Sequence, residues 1–213
     1  VYKRQEKKEA LRRLAMELVL RGEKREPVKV GIALLGICGT PDDAERIKPL
    51  GLHNEFTLYA AGTAVRLLQP PARGAYLLEL AERVQGWGKI AVLYELDYSD
   101  PAACLWAIKH GCENTVGLSY LSNVCATKGK LADVLSELRE GRFSPAEERE
   151  LFHGICDIFT GLLHPEAGND GLSEYADARC AAERFAALCG EKPELAASDG
   201  RASEILDGLK FIL

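Results

Sequence analysis

Gly39-Thr40-Pro41-Asp42-Asp43-Ala44, followed by Gly51-Leu52-His53-Asn54, recurs sixty residues later as Ser99-Asp100-Pro101-Ala102-Ala103-Cys104 and Gly111-Cys112-Glu113-Asn114. Proline falls on proline, glycine on glycine and asparagine on asparagine. The apolar positions Phe56, Leu58 and Ala64 fall on Val116, Leu118 and Val124. When punctuation and apolar spacing repeat together, the unit that repeats is structural. Within the first copy, Thr40 can cap a helix, Pro41 suits its first position, and Asp42 and Asp43 favour its positive end. That helix is expected to stop by Pro49, with Gly51 as the turn, because proline disfavours the helical state in the residue before it. Asn54 and Asn114 are expected to cap the helices that follow.

Outward from this stretch, apolar residues recur at helical spacing and almost never alternate, which predicts an all-α chain. Helices are expected over 6–21, 27–39, 41–49, 54–69, 72–85, 88–97, 101–110, 114–127, 130–140, 144–163, 173–188 and 201–212. Ser144-Pro145-Ala146-Glu147 is a capping box with proline at the first helical position. The stretch 191–200 reads as a linker. The stripe Ile205, Leu206, Leu209, Phe211 and Ile212 either docks into a core or belongs to a repeat that continues. Twelve helices pair into six hairpins of about thirty residues, and each hairpin exposes an apolar face that only a stacked neighbour can cover.

Of the 213 residues, 47% are hydrophobic and 7% aromatic, which suits close helix-on-helix packing. No apolar run approaches the roughly 18 residues of a membrane span. The opening Val1-Tyr2-Lys3-Arg4-Gln5 resembles the translation of a sequencing adapter joined to an environmental reading frame, so the natural start is expected upstream and both ends are expected to be truncated. Setting Lys3 and Arg4 aside moves the net charge from −5 to −7, a balance that argues against phosphate-neutralising nucleic-acid binding. Seven cysteines scattered through helices indicate free thiols and a cytoplasmic setting.

Leu35-Gly36-Ile37-Cys38-Gly39-Thr40-Pro41-Asp42-Asp43-Ala44 resembles the junction of short bacterial HEAT-like repeats, where a helix ends in Leu-Gly-x-x-Gly and the next opens on Asp-Pro and acidic residues. Asp100-Pro101-Ala102-Ala103 resembles the second half of that junction. The resemblance is sharpest over 28–127. The arginine usual near the start of the first helix is replaced by Cys104 in the second copy, and spacing drifts after Gly129. It implies a right-handed, HEAT/armadillo-like α-solenoid of about six antiparallel hairpins, forming one domain over 6–213.

The chemistry-bearing residues are sparse. His110-Gly111-Cys112 with Cys104, and His153 with Cys156, invite a metal reading, but neither has a recognised ligand spacing. Cysteine more often serves as a small buried hydrophobe. No catalytic residue, metal or cofactor is expected. Six glycines within the predicted helices, Gly31, Gly36, Gly62, Gly117, Gly154 and Gly161, suggest that some are kept for close backbone approach. Trp87, Tyr94, Tyr98, Trp106 and Tyr120 are either interface anchors or core.

The leading functional expectation is a scaffold that binds a protein or peptide on a concave face lined by the second helices of its hairpins. His53, Glu55, Arg66, Lys89, Tyr94, Glu113, Tyr120 and Asn123 are the candidate contacts. The alternatives are a HEAT-like enzyme, of the alkylated-base DNA glycosylase or bilin lyase type, and a piece of a larger assembly subunit.

Overall fold

The helical spacing is realised as helix throughout, with no strand among the described residues. The structure, a computed structural model, describes residues 2–213, with side chains from Gln5 onward, so the adapter reading of positions 1–5 lies largely outside it. The chain divides into two units, Val1–Asp97 and Tyr98–Leu213.

Unit 1 holds α1 (Tyr2–Arg21), α2 (Arg25–Cys38), α3 (Pro41–Gly51), α4 (Asn54–Leu67), α5 (Ala72–Arg83) and α6 (Gly86–Glu95). Each even-numbered helix packs against the helix before it, and α4 packs against both α2 and α6. Ala15, Val19, Val28, Ile32, Leu35, Cys38, Ile47 and Ala60 form a continuous buried core. Four polar contacts between successive hairpins share one offset to within a residue. Arg12 reaches Asp43 at 2.6 and 2.9 Å, and Thr63 Oγ1 donates to Ile32 O at 2.9 Å. Lys48 Nζ donates to Glu79 at 2.9 Å, and Tyr76 OH to Ala44 O at 3.2 Å. All four span 31 or 32 residues.

Asp43 serves two purposes. Its carboxylate accepts from Thr40 N and Oγ1 at 2.9 and 3.0 Å, closing the capping box, while it holds Arg12 of the preceding hairpin. The Arg12 hydrogen bond, opposed by burial, lowers its pKa below the ordinary carboxylate value.

Unit 2 is organised differently. α7 (Pro101–Trp106) runs into a π turn (Ala107–Gly111), followed by α8 (Ser119–Lys128), α9 (Leu131–Arg139) and α10 (Pro145–Leu163). A 3-10 turn (Leu172–Glu174), α11 (Ala178–Glu191), α12 (Pro193–Ala196) and α13 (Ala202–Leu209) complete it. The capping box forms as expected, with Glu147 accepting from Ser144 N and Oγ. It starts the long α10, on which α8, the π turn, α12 and α13 all pack. α11 packs on α9, and the Phe185 ring stacks on Phe152 at 5.7 Å and tilts against Phe159 at 4.9 Å. The inter-helix polar contacts span 52 residues between Arg184 and Ala132 O, and 54 between Lys192 and Leu138 O. The 31-residue offset therefore belongs to unit 1.

Several expected boundaries are displaced. α3 continues through Pro49 to Gly51, because the proline sits in the last turn, where short closures such as His53 N to Leu50 O at 3.0 Å take over. The α4 cap is His53, whose Nδ1 accepts from Glu55 N at 3.3 Å, so Asn54 is the first helical residue. Asn114 caps no helix. Its side chain accepts from Thr115 N, and Gly117 at φ 121° delays α8 to Ser119. The two copies thus share their first helix start, Pro41 and Pro101, and part company at the second. The helix expected over 173–188 breaks into the 3-10 turn and α11, and the expected linker contains α12.

All seven cysteines are free thiols; six are buried, and Cys180 is half-buried. Burial raises the Cys156 thiol pKa and pushes that of Cys189 up to about 11. With a thiol reagent at mildly alkaline pH, Cys180 should react promptly and the other six only after denaturation. Prompt labelling of Cys38, Cys125 or Cys156 in the folded protein would contradict this packing.

Candidate functional site

The eight candidate contacts have different structural fates. His53 is engaged as a cap. Glu55 is held by Arg25 at 3.0 Å and Lys29 at 2.9 Å, the Lys29 hydrogen bond being the main reason its pKa is lowered. Lys89, expected at the surface, is only 2% exposed: it falls on the inward stripe of α6 with Gly86, Val92 and Leu93. Arg66 and Tyr94 are exposed on α4 and α6. Glu113, Tyr120 and Asn123 belong to unit 2, with Glu113 exposed and the other two half-buried.

Large apolar side chains are exposed on the helices that carry Arg66 and Tyr94 and on α2 beside them. On α2, Val30 and Ile37 are exposed, Ile37 to 64%; on α4, Leu58 is 57% exposed; on α6, Trp87 is 62% exposed. These three helices are neighbours in the order α2, α4, α6. Between α2 and α4 lies a notch of about 160 Å³ lined by Ala33, Leu58, Tyr59, Gly62, Thr63 and Arg66. A Cβ at Gly62 would meet nothing within 4 Å, so the notch is open above it. The Arg66 stem passes 3.4 Å from where a Cβ at Gly36 of α2 would stand. One signal for this face was present in the sequence. α2 is apolar nearly all round, more than one buried stripe can use.

Unit 2 contains a polar cleft of about 440 Å³. His110 and His153, the two histidines of the metal reading, both line it, but their cysteines do not. Cys104 Sγ donates to Tyr98 O at 3.2 Å, and Cys156 is fully buried. The π turn places Lys109 and His110 together against α10, so that Glu150 accepts from Lys109 at 2.7 Å and stands 3.3 Å from His110 Nε2. The Lys109 hydrogen bond is the main cause of the lowered Glu150 pKa. On the far side, His153 Nδ1 lies 2.8 Å from Asp199 Oδ2, and Arg201 joins Asp199 at 2.6 and 2.9 Å while also pairing with Asp157. Arg201 is the main reason the Asp199 pKa is pushed down to about 2.

Ser198, also in the cleft, donates to Leu195 O at 2.6 Å. Among the described residues, no group of three or more His, Cys, Asp or Glu side chains is placed to hold a metal ion. The cleft draws on three separated segments, 109–113, 149–157 and 198–201, and so had no local signature. No helix among the described residues is long and apolar enough to cross a membrane. Comparison with protein-family models, curated proteins and solved structures gives no match for this chain.

Proposed function

We propose that unit 1 is a short right-handed solenoid of three HEAT-like hairpins, α1–α2, α3–α4 and α5–α6, serving as an interaction module for a protein or peptide. The observation that carries this reading is the run of exposed apolar side chains, Val30, Ile37, Leu58, Trp87 and Tyr94, across the adjacent helices α2, α4 and α6. Contiguous apolar surface of this kind marks binding faces, and aromatic and arginine side chains dominate their energetics. Stacking at the 31-residue offset supports the solenoid, because successive hairpins meet at a shared spacing along the chain. The notch beside Arg66 accommodates one apolar side chain of the partner and offers a cation to a neighbouring acceptor.

Peptides selected from a display library on the whole chain test the reading. Leu58→Asp, Ile37→Asp and Arg66→Ala should each weaken the selected binders roughly tenfold or more. Because all three positions are exposed, thermal stability should shift by no more than about 0.5 kcal/mol. Binders indifferent to all three substitutions would remove this face as the site.

A further inference from the structure

A cleft in unit 2 lies where the end of α10 meets α13. Leu162, Leu163, Leu172, Phe211 and Ile212 supply its apolar walls, enclosing about 650 Å³. Gly208 keeps α13 close on this side, since a Cβ there would stand 3.0 Å from Leu163 Cδ1. The apolar surface continues beyond the cleft: Phe211 is 74% and Leu213 48% exposed. A small molecule filling the cleft would leave that extension uncovered, whereas a helix laid along it would cover both.

The charges around this surface are mostly acidic. The segments that form it, 164–174 and 204–212, carry Glu166, Asp170, Glu174, Glu204 and Asp207 against a single lysine and His164. That lysine, Lys210, is bound to Asp207 at 2.6 Å. Glu204 lines the cleft, is exposed and has no ion-pair partner among the described residues. An apolar floor with an acidic rim is complementary to one kind of surface: a helix with large apolar residues on one face and lysine or arginine along its flanks.

We propose that this groove docks a basic amphipathic helix of a partner protein, its apolar residues seated between α10 and α13 and its cations facing Glu204 and the neighbouring carboxylates. The site is independent of the α2–α4–α6 face, and each can fail without the other.

The test uses the whole chain and two synthetic fourteen-residue helices, one of leucine and lysine and one of leucine and glutamate in the same pattern, followed by fluorescence anisotropy. The leucine–lysine helix should bind saturably at one site per chain, and the leucine–glutamate helix roughly tenfold more weakly or worse. Phe211→Asp, at an exposed position, should weaken the leucine–lysine helix roughly tenfold. Glu204→Lys with Asp207→Lys should reverse the preference between the two peptides, while Arg66→Ala should change neither affinity. Equal binding of both peptides, unsaturable binding, or a preference unmoved by the charge reversal would overturn the proposal. Circular dichroism and the melting temperature of each variant separate loss of binding from loss of fold.

Discussion

Arg201→Met is expected to destabilise unit 2 by roughly 3–5 kcal/mol, the cost of leaving buried charge without its partner. Arg201 joins Asp157 and Asp199, both buried, and also donates to His153 O at 3.3 Å. Its removal strands two carboxylates that no other cation reaches as closely. Adding Asp157→Asn and Asp199→Asn in the same chain should recover most of the loss, because the amides need no counter-charge. A loss below about 1 kcal/mol for the single variant would mean that water, rather than Arg201, compensates these groups. The same network sets an acid limit. With its folded pKa depressed to about 2, Asp199 stabilises the fold above its unfolded value near 3.9, and that contribution disappears as pH falls from about 4 toward 2. It amounts to something on the order of 2 kcal/mol. Asp199→Asn should therefore flatten the acid limb of a stability–pH curve measured by denaturant titration.

Gly154→Ala is expected to cost roughly 3 kcal/mol, near the top of the range for overpacking, because the methyl group would strike backbone. A Cβ at Gly154 would overlap Ile108 O and crowd Lys109 O and Cα, atoms of the π turn that cannot swing aside as a side chain would. The contrast is Gly190→Ala on α11, where a Cβ would meet nothing within 4 Å. That change should stabilise by about 0.5–1 kcal/mol through helix propensity alone. Chemical denaturation of both variants gives the comparison directly. Equal effects would show that α10 and the π turn are not in close backbone contact.

Helix starts were legible wherever their chemistry is local. Thr40-Pro41-Asp42-Asp43 and Ser144-Pro145-Ala146-Glu147 close their own capping boxes within four residues, and the structure begins helices at Pro41 and Pro145. Asn114 misled because the same residue type also accepts a bond in a loop, and what decides between them is the backbone turn at Gly117. Lys89 was read as outward-facing from its charge, yet its place in α6 puts it on the buried stripe. Conversely, Ile37 and Leu58 stood out only as positions of repeated motifs, and the neighbours of α2 and α4 reveal that their faces are left uncovered. The polar cleft was the least legible feature. Its histidines were noticed, but Glu150, Asp199 and Arg201, which position them, lie between 40 and 48 residues away in the chain.

The fixed offset in unit 1 has a consequence for how such a chain changes size. Arg12 with Asp43 and Lys48 with Glu79 are brackets that tie α1 to α3 and α3 to α5, each across 31 residues, so a residue added or lost in a turn leaves both partners in place on their helices. A single-residue insertion inside a helix is far more disruptive, since it turns everything beyond it by about 100° and pulls the bracket on that side out of reach. Small insertions and deletions in this part of the molecule are therefore confined to the turns.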